Sequence, residues 1–264
     1  MIKKFLLDLI FPRFCVGCQK ELSLKTASFI CEACLNNIAL NSGVGCHICG
    51  LRNSRNIRNR VSNIICRKCA KVTFLSGLFA AGKYEDPVLR EAIGQFKYQG
   101  IESLKKPLAE LLIKYLKKEN LISYLEAPLP STVLTPIPLT LRRKLSRGFN
   151  QSELLAKELS PVLNCPVVNL LKRQKFSVPQ ARIKDWKARK ENIAGTFCLS
   201  DKLAILMSDI NNRTIDVGHQ YQCQYQKVIL VDDVATSGAT LEEAARVLKK
   251  AGIKEVYGLV VAKG

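Results

Sequence analysis

The chain has 264 residues, with 41 Lys and Arg against 22 Asp and Glu, which gives a formal net charge of +19. A hydrophobic fraction of 47% and a charged fraction of 24% are typical of a folded globular protein and exclude an intrinsically disordered chain. No apolar run approaches eighteen residues, which excludes a transmembrane helix. The short apolar N-terminus is interrupted by Asp8 and lacks a small-residue cleavage site, so we expect a cytoplasmic protein without membrane insertion.

The positive charge is concentrated in two segments. Residues 1–69 carry 11 basic and 3 acidic groups, a net charge of +8, and residues 132–200 carry 13 and 4, a net charge of +9. Residues 201–264 carry 8 of each and are neutral. Either basic segment is suited to phosphate groups, on a nucleic acid or on a small ligand.

Eight of the 11 cysteines lie before residue 70 and form four Cys-x-x-Cys pairs. Each such turn directs two thiolates toward one point, and two turns complete a tetrahedral Cys₄ zinc site. The pattern predicts two structural zinc sites in a double zinc ribbon, with sequential pairing of the turns favoured over a cross-braced arrangement. The alternative, a disulfide framework, requires an oxidising compartment that nothing in the sequence indicates. The predicted zinc ligands are Cys15, Cys18, Cys31, Cys34, Cys46, Cys49, Cys66 and Cys69.

After residue 75 the pattern changes to alternating strands and helices. Continuous apolar strands between amphipathic helices indicate an α/β fold with a mostly parallel sheet flanked by helices. We predict two domains, an N-terminal helix with the zinc ribbon over residues 1–72 and an α/β domain over residues 76–264. A polar segment at about residues 206–226 is predicted to be a surface insertion. The predicted strands are 78–84, 133–138, 228–231 and 256–262, and the predicted helices are 87–96, 104–116, 150–163 and 241–251.

Residues 228–240 have the sequence VILVDDVATSGAT, in which a buried strand leads into two acids and then into a small, polar turn before a helix. The turn comprises Thr236, Ser237, Gly238, Ala239 and Thr240, and it presents backbone N–H groups and hydroxyls at a helix N-terminus, which suits a phosphate dianion. The carboxylates of Asp232 and Asp233 are suited to the hydroxyls of a sugar that carries this phosphate. No Gly-Lys-Ser/Thr is present, which excludes a Walker-type loop.

This stretch resembles the signature with which type I phosphoribosyltransferases bind phosphoribosyl pyrophosphate (PRPP). The resemblance implies that Asp232 and Asp233 contact the ribose 2′- and 3′-hydroxyls, that the turn holds the 5′-phosphate, and that Mg²⁺ accompanies PRPP. The ComF/GntX family of competence-associated phosphoribosyltransferase-like proteins is similar to this chain at the N-terminal LLDLIFPRFCVGC and at residues 96–98, 136–139, 147–151, Gln180, Arg189 and Asn192. The resemblance implies a type I phosphoribosyltransferase-like fold for residues 76–264.

Two further segments supply candidate site residues. The resemblance implies a pyrophosphate loop at residues 136–147, where the candidates are Thr140, Arg142, Arg143 and Arg147. Residues 172–190 contain eight basic groups and one acid, and the resemblance implies a flexible hood that closes over PRPP. The candidates in the hood are Lys172, Arg173, Gln180 and Arg189. The same segment also suits a nucleic-acid surface, with Phe176 or Trp186 for base stacking.

Three functional hypotheses follow. The first is an Mg²⁺-dependent phosphoribosyltransferase that acts in DNA uptake and natural transformation. The second is a non-catalytic adaptor that binds single-stranded DNA or a competence helicase through its zinc ribbons and basic stretch. The third is a descendant of the enzyme fold that senses PRPP without turnover. No residue identifies the acceptor substrate.

Overall fold

The computed structural model describes residues 13–23, 28–43, 46, 48–49, 65, 68–69, 71–125, 132–174, 193–201 and 225–264. Its helices are α1 (Glu32–Asn37), α2 (Pro87–Tyr98), α3 (Lys105–Lys118), α4 (Ile122–Leu125), α5 (Leu141–Arg147), α6 (Gln151–Leu163) and α7 (Ala239–Lys250), with a 3₁₀ turn at Glu102–Leu104. Its strands are β1 (Gly77–Lys83), β2 (Thr132–Pro136), β3 (Leu171–Arg173), β4 (Phe197–Leu199), β5 (Lys227–Ala235) and β6 (Glu255–Lys263).

Four of these strands form a parallel sheet in the order β1-β6-β5-β2. Every residue of β2 is buried, and so is every residue of β6 between its two ends. Strands with two buried faces are typical of parallel sheets that are covered by helices on both sides. The predicted α/β architecture is therefore confirmed. β3 and β4 form a separate antiparallel ribbon, in which Lys172 lies opposite Cys198 and Arg173 opposite Phe197.

Two apolar clusters cover the two faces of the sheet. Ile229 and Val231 of β5 pack in one cluster with residues of α2, α3 and α6. Val228 and Leu230 pack in the other, with residues of α7. Because successive side chains of a strand point to opposite faces, the alternation of these residues between two apolar clusters explains the continuous apolar run in the sequence.

The N-terminal cysteine-rich segment packs against the edge of the sheet at β1. Asn41 donates its side-chain N–H groups to the carbonyls of Ala80 (2.9 Å) and Gly82 (3.1 Å), and its backbone N–H to Ala81 (2.8 Å). Leu40 pairs with Gly82 as an antiparallel bridge. Leu22, Ile30 and Leu35 belong to the same apolar cluster as α2, α3 and α6. The segment around Cys15 therefore shares the core of the α/β domain. The division into domains at residues 72 and 76 stays a prediction.

The bounds of the predicted elements agree closely with the observed ones, except at the end of β5, and the structure adds α1, α4, α5, β3 and β4. The predicted cap of α2 is present, since Asp86 accepts a hydrogen bond from the Leu89 N–H (2.9 Å) and Pro87 occupies the first turn. β5 does not end at residue 231 but continues to Ala235, because β6 pairs with it beyond the acids. α5 lies in a segment predicted as a loop. The predicted insertion at about 206–226 lies almost entirely outside the described residues.

Candidate functional site

Three segments that are far apart in the chain meet at the carboxyl end of β5. Asp232 and Asp233 lie on β5 itself, and Lys97 reaches them from the last turn of α2. The Lys97 ammonium nitrogen lies 2.8 Å from Asp233 Oδ1, and the two side chains are 17% and 8% exposed. From the first turn of α6, the Ser152 hydroxyl donates to Asp232 Oδ1 at 2.9 Å. The acid pair is therefore held from two sides by a cation and a hydroxyl.

The charge states of this cluster follow from burial and from the neighbouring groups. Burial and the adjacent charge of Asp233 raise the pKa of Asp232 to about 7, although Lys97, the Ser152 hydroxyl and the Asp233 N–H act in the opposite direction. Burial alone lowers the pKa of a lysine, but the charge and the hydrogen bond of Asp233 outweigh it, so the pKa of Lys97 is raised. Lys97 is therefore a firmly charged ammonium beside two carboxylates.

The turn that follows β5 leads directly into α7. Gly238 has φ +75° and occupies the N-cap position of this helix, a backbone conformation that favours glycine. The Ala239 N–H donates to Ser237 Oγ at 3.4 Å, and Thr236 is exposed. A glycine at the N-cap leaves the helix end open to a ligand, and the helix dipole favours an anion there.

Two carboxylates near the start of α7 contact groups away from the turn at residues 236–240. Glu242 accepts hydrogen bonds from the Thr73 hydroxyl and from the Phe74 N–H (2.9 Å). Glu243 accepts from the Gly195 N–H (2.8 Å) and from the Arg246 guanidinium, with both N–O distances at 2.7 Å. Both carboxylates are therefore hydrogen-bonded to protein groups, and they do not oppose an anion at residues 236–240.

The predicted pyrophosphate segment forms a short loop and then a helix. The side chain of Thr140, which is buried, caps α5 by accepting from the Arg143 N–H at 3.3 Å, and Gly148 ends the helix with φ +80°. Arg142 is exposed on α5, and Arg143 is half-buried. Arg147 donates to Gln151 Oε1 at 3.2 Å, and its guanidinium carbon lies 5.2 Å from the centre of the Tyr98 ring.

Of the candidates in the hood, Arg173 is near the acid pair. Burial and the charge of Arg143 lower the pKa of Arg173 to about 10, and the charge of Asp232 acts in the opposite direction. Lys172 points to the other side of the ribbon, because neighbouring residues of a strand alternate, and it pairs with Asp201. The structure therefore brings Arg173 toward the site and leaves Lys172 away from it. Gln180 and Arg189 lie outside the described residues.

Lys97 and Ser152 were not among the candidates of the sequence analysis. Two signals were available for Lys97, since it lies in the stretch 96–98 that resembles the family and four residues after the buried Ile93, on the apolar face of α2. A lysine on that face requires a partner. Ser152 follows directly after the motif at residues 147–151 and carries no signal of its own.

The cysteine groups have the arrangement of two metal sites. The Sγ atoms of Cys15, Cys18, Cys31 and Cys34 lie within 4.8 Å of one another, and those of Cys46, Cys49 and Cys69 form a second group. This grouping is the predicted sequential pairing, with Cys66 outside the described residues. Zn–S bonds of about 2.3 Å in a tetrahedron place sulfurs about 3.8 Å apart. The distance between Cys18 Sγ and Cys31 Sγ is 3.8 Å, so the first group fits zinc.

The electrostatics of the first group point to the same cation. Burial raises the pKa of Cys15, but backbone N–H groups of Cys31, Cys18 and Gly17 outweigh it and lower the pKa to about 6. Burial and the neighbouring thiols raise the pKa of Cys34 to about 12. Four clustered thiols cannot all ionise without a cation to neutralise them, which is the role that structural zinc fulfils.

Comparisons with known proteins agree with both parts of the chain. A family profile described as a double zinc ribbon domain matches residues 6–70, and one described as a phosphoribosyl transferase domain matches residues 204–264. The predicted zinc ribbon and phosphoribosyltransferase-like fold are thereby confirmed. Among the residues that the structure describes, none of the helices combines the length and apolarity that crossing a bilayer requires.

The chain is also similar to named proteins. Competence protein F of Haemophilus influenzae is 33% identical over 184 residues, which cover 69% of this chain and 71% of that protein. Competence protein ComFC of Bacillus subtilis is 25% identical over 92% of this chain and 91% of its own length. DNA utilization protein YhgH of Escherichia coli K12 is 26% identical over 94% of this chain and 96% of its own length.

Proposed function

Because the chain belongs to the ComF family of competence-associated proteins, we propose that it binds PRPP together with Mg²⁺ and transfers the phosphoribosyl group in a process linked to DNA uptake. One observation carries the proposal. An acid pair and a glycine-capped helix N-terminus lie on consecutive elements, β5 and α7, at the carboxyl edge of a parallel sheet. Ligands of open α/β sheets bind at this edge.

Each part of the ligand has a matching group. Asp232 and Asp233 accept hydrogen bonds from the vicinal hydroxyls of the ribose, and the turn from Thr236 to Thr240 holds the 5′-phosphate. Arg173 and Arg143 supply positive charge for the pyrophosphate. The reaction forms a bond between the acceptor nucleophile and C1 of the ribose while the C1–O bond to pyrophosphate breaks. The bonding pair leaves with pyrophosphate, and the acceptor proton is released.

The carboxylates at the site are hard oxygen donors, as Mg²⁺ requires, but Lys97 and Ser152 already contact them. Mg²⁺ is usually bound through one or two carboxylates plus substrate phosphates and keeps several waters. We therefore expect it to arrive with PRPP. When bound, it neutralises charge on the departing pyrophosphate.

Calorimetric titration with PRPP and Mg²⁺ tests the proposal. The wild type is expected to bind, and the Asp232→Asn/Asp233→Asn double variant is expected to lose at least about 100-fold in affinity, because two charged hydrogen bonds to the diol are weakened. Glu110→Gln on α3, an exposed carboxylate that pairs with Lys114, is the matched control and is expected to bind like the wild type. Equal binding by the double variant would contradict the assignment of the acid pair.

A measurement of pyrophosphate release distinguishes the hypothesis of an enzyme from that of a PRPP sensor. An enzyme is expected to release pyrophosphate when PRPP, Mg²⁺ and an acceptor are supplied, and to stop doing so in the double variant. Binding of PRPP without release with any nucleobase, nucleoside or amine acceptor would favour the sensor.

A second candidate function is the binding of single-stranded DNA, as an adaptor with or without a helicase partner. It is favoured by the surface of α5, where Arg142 and Lys144 are exposed beside Leu141 and Leu145, which are 70% and 75% exposed. Tyr98, 73% exposed and in contact with Arg147, adds an aromatic surface next to this helix. Basic side chains that contact phosphates, combined with exposed rings, are typical of single-strand binding.

Binding to an oligonucleotide is expected to weaken steeply with salt, with a log–log slope of about −0.7 for each phosphate contact. Arg142→Gln/Lys144→Gln is therefore expected to flatten that slope by about 1.4 if both residues contact phosphates. Lys106→Gln/Lys117→Gln, which removes two exposed charges from α3, is expected to leave the slope unchanged. Absent or salt-insensitive binding would reject direct DNA contact.

A further inference from the structure

Lys97 is the least expected member of the site. It is a lysine whose side chain is only 17% exposed, and its ammonium lies 2.8 Å from a carboxylate that is more deeply buried still. Removing a charge from water is costly, so such a pair is retained only where the partner geometry compensates. The backbone at this end of α2 is also held in place, since Gln151 donates its side-chain N–H to the Phe96 carbonyl at 3.4 Å.

The groups around the acid pair come from five elements. Asp232 and Asp233 belong to β5, Lys97 and the phenol of Tyr98 to α2, and Ser152 to α6. Arg173 of β3 interacts with Asp232, and Arg143 of α5 interacts with Arg173. Among these described groups, Lys97 forms an ion pair with Asp233. The ammonium has three N–H donors, and Asp233 takes one of them.

The proposed ribose site requires both carboxylates to accept hydrogen bonds. A carboxyl that carries a proton donates one hydrogen bond and loses part of its capacity to accept. Two adjacent carboxylates without a counter-ion share a proton near neutral pH, because like charges cannot both ionise at close range. A fixed cation at 2.8 Å from Asp233 opposes this and lowers the pH at which both carboxylates are ionised.

We propose that Lys97 is the positioning residue of the acid pair, which favours the state with both carboxylates ionised and holds Asp233 in the orientation that accepts the vicinal hydroxyls of a phosphorylated ribose. The inference rests on the proposed function and deepens it, because it concerns the diol and not the phosphate. It implies that the site distinguishes ribose phosphates from 2-deoxyribose phosphates through the charge state of the pair. Inorganic phosphate occupies only the turn at residues 236–240, so its affinity is expected not to depend on Lys97.

The test measures the affinity for ribose 5-phosphate between pH 5.5 and pH 9.5, with inorganic phosphate and 2-deoxyribose 5-phosphate as probes at each pH. For the wild type, the ratio of ribose 5-phosphate affinity to inorganic phosphate affinity is expected to rise through about pH 7, where Asp232 ionises. For Lys97→Met, the midpoint of this rise is expected to move up by at least about one pH unit, because the counter-ion is gone. At pH 7 the variant is then expected to bind ribose 5-phosphate at least about fivefold more weakly and to recover above pH 9.

Two more variants separate charge from packing. Lys97→Arg keeps the charge and is expected to restore the wild-type profile within about threefold. Lys97→Gln keeps a donor without the charge and is expected to behave like Lys97→Met, and it replaces that variant if Lys97→Met does not fold. Binding of inorganic phosphate is expected to be the same in all four proteins.

The outcomes distinguish the inference from the function on which it rests. If the wild type binds ribose 5-phosphate and Lys97→Met or Lys97→Gln shows the same midpoint, or an equal loss at every pH, the inference is overturned and the proposed function stands. If the wild type binds no ribose phosphate and no PRPP, the proposed function fails and the inference fails with it.

Discussion

Replacement of Cys15 by serine is expected to release one of the two zinc ions and to destabilise the N-terminal half of the molecule by several kcal/mol. Cys15 is fully buried and lies in the apolar cluster shared with α2, α3 and α6. Its thiolate accepts the N–H groups of Gly17 (3.4 Å) and Cys31 (3.3 Å). Structural zinc contributes about 10–16 kcal/mol of apparent binding free energy in small zinc domains, so one lost ligand removes a large part of it.

Metal analysis of the purified protein measures this effect, with a melting curve beside it. The wild type is expected to hold two zinc ions per chain and Cys15→Ser one, with earlier proteolytic cleavage before residue 76. The control is Cys198→Ser, since Cys198 belongs to neither cysteine group and its thiol contacts the Lys172 carbonyl. A Cys15→Ser protein that still contains two zinc ions would remove Cys15 from the ligand set.

Two neighbouring isosteric substitutions are expected to change stability in opposite directions. At pH 8, Asp232→Asn is expected to raise the free energy of unfolding by about 1–3 kcal/mol. Asp233→Asn is expected to lower it by about 2–4 kcal/mol, because it leaves the Lys97 ammonium without its 2.8 Å partner. Both variants are expected to lose affinity for PRPP, so stability and ligand binding are opposed at Asp232 and move together at Asp233.

The sign for Asp232 follows from proton linkage. The carboxyl has a pKa of about 7 in the folded protein, above its ordinary range, so the folded state holds a proton that the unfolded state has already lost. Its ionised form therefore destabilises the fold fully above pH 7, less as the pH falls, and not at all below about pH 4. The increase in the free energy of unfolding caused by Asp232→Asn is accordingly expected to be larger at pH 8 than at pH 5 in denaturant titrations. A constant advantage at both values would show that the substitution acts through packing.

The sequence alone was sufficient for the features that depend on local patterns. The apolar runs predicted the strands of the parallel sheet, the Cys-x-x-Cys spacing predicted both cysteine groups, and Asp86 with Pro87 predicted the start of α2. The family resemblance predicted the roles of the acid pair and of the phosphate turn at residues 232–240. These features can be predicted from the sequence because each depends on residues that are close together in the chain.

The features that were missed depend on tertiary contacts or lack a buried face. α5 was predicted as a loop because Leu141 and Leu145 face solvent, so no apolar stripe indicates a helix, although Thr140 and Gly148 are its capping residues. β5 continues through two acids, which are rare in strands, because β6 pairs opposite Asp232 and Val234. The contact between Lys97 and Asp233 joins residues from different motifs, and no local pattern predicts it.

The contact between residues 40–41 and β1 covers part of an outer strand of the sheet. β1 is the outer strand of the sheet on that side, and an uncovered outer strand offers its N–H and C=O groups to strands of other chains. Asn41 and Leu40 occupy those groups at Ala80, Ala81 and Gly82. A fragment that begins after residue 41 is therefore expected to expose these backbone groups of β1 and to aggregate more readily than the full chain.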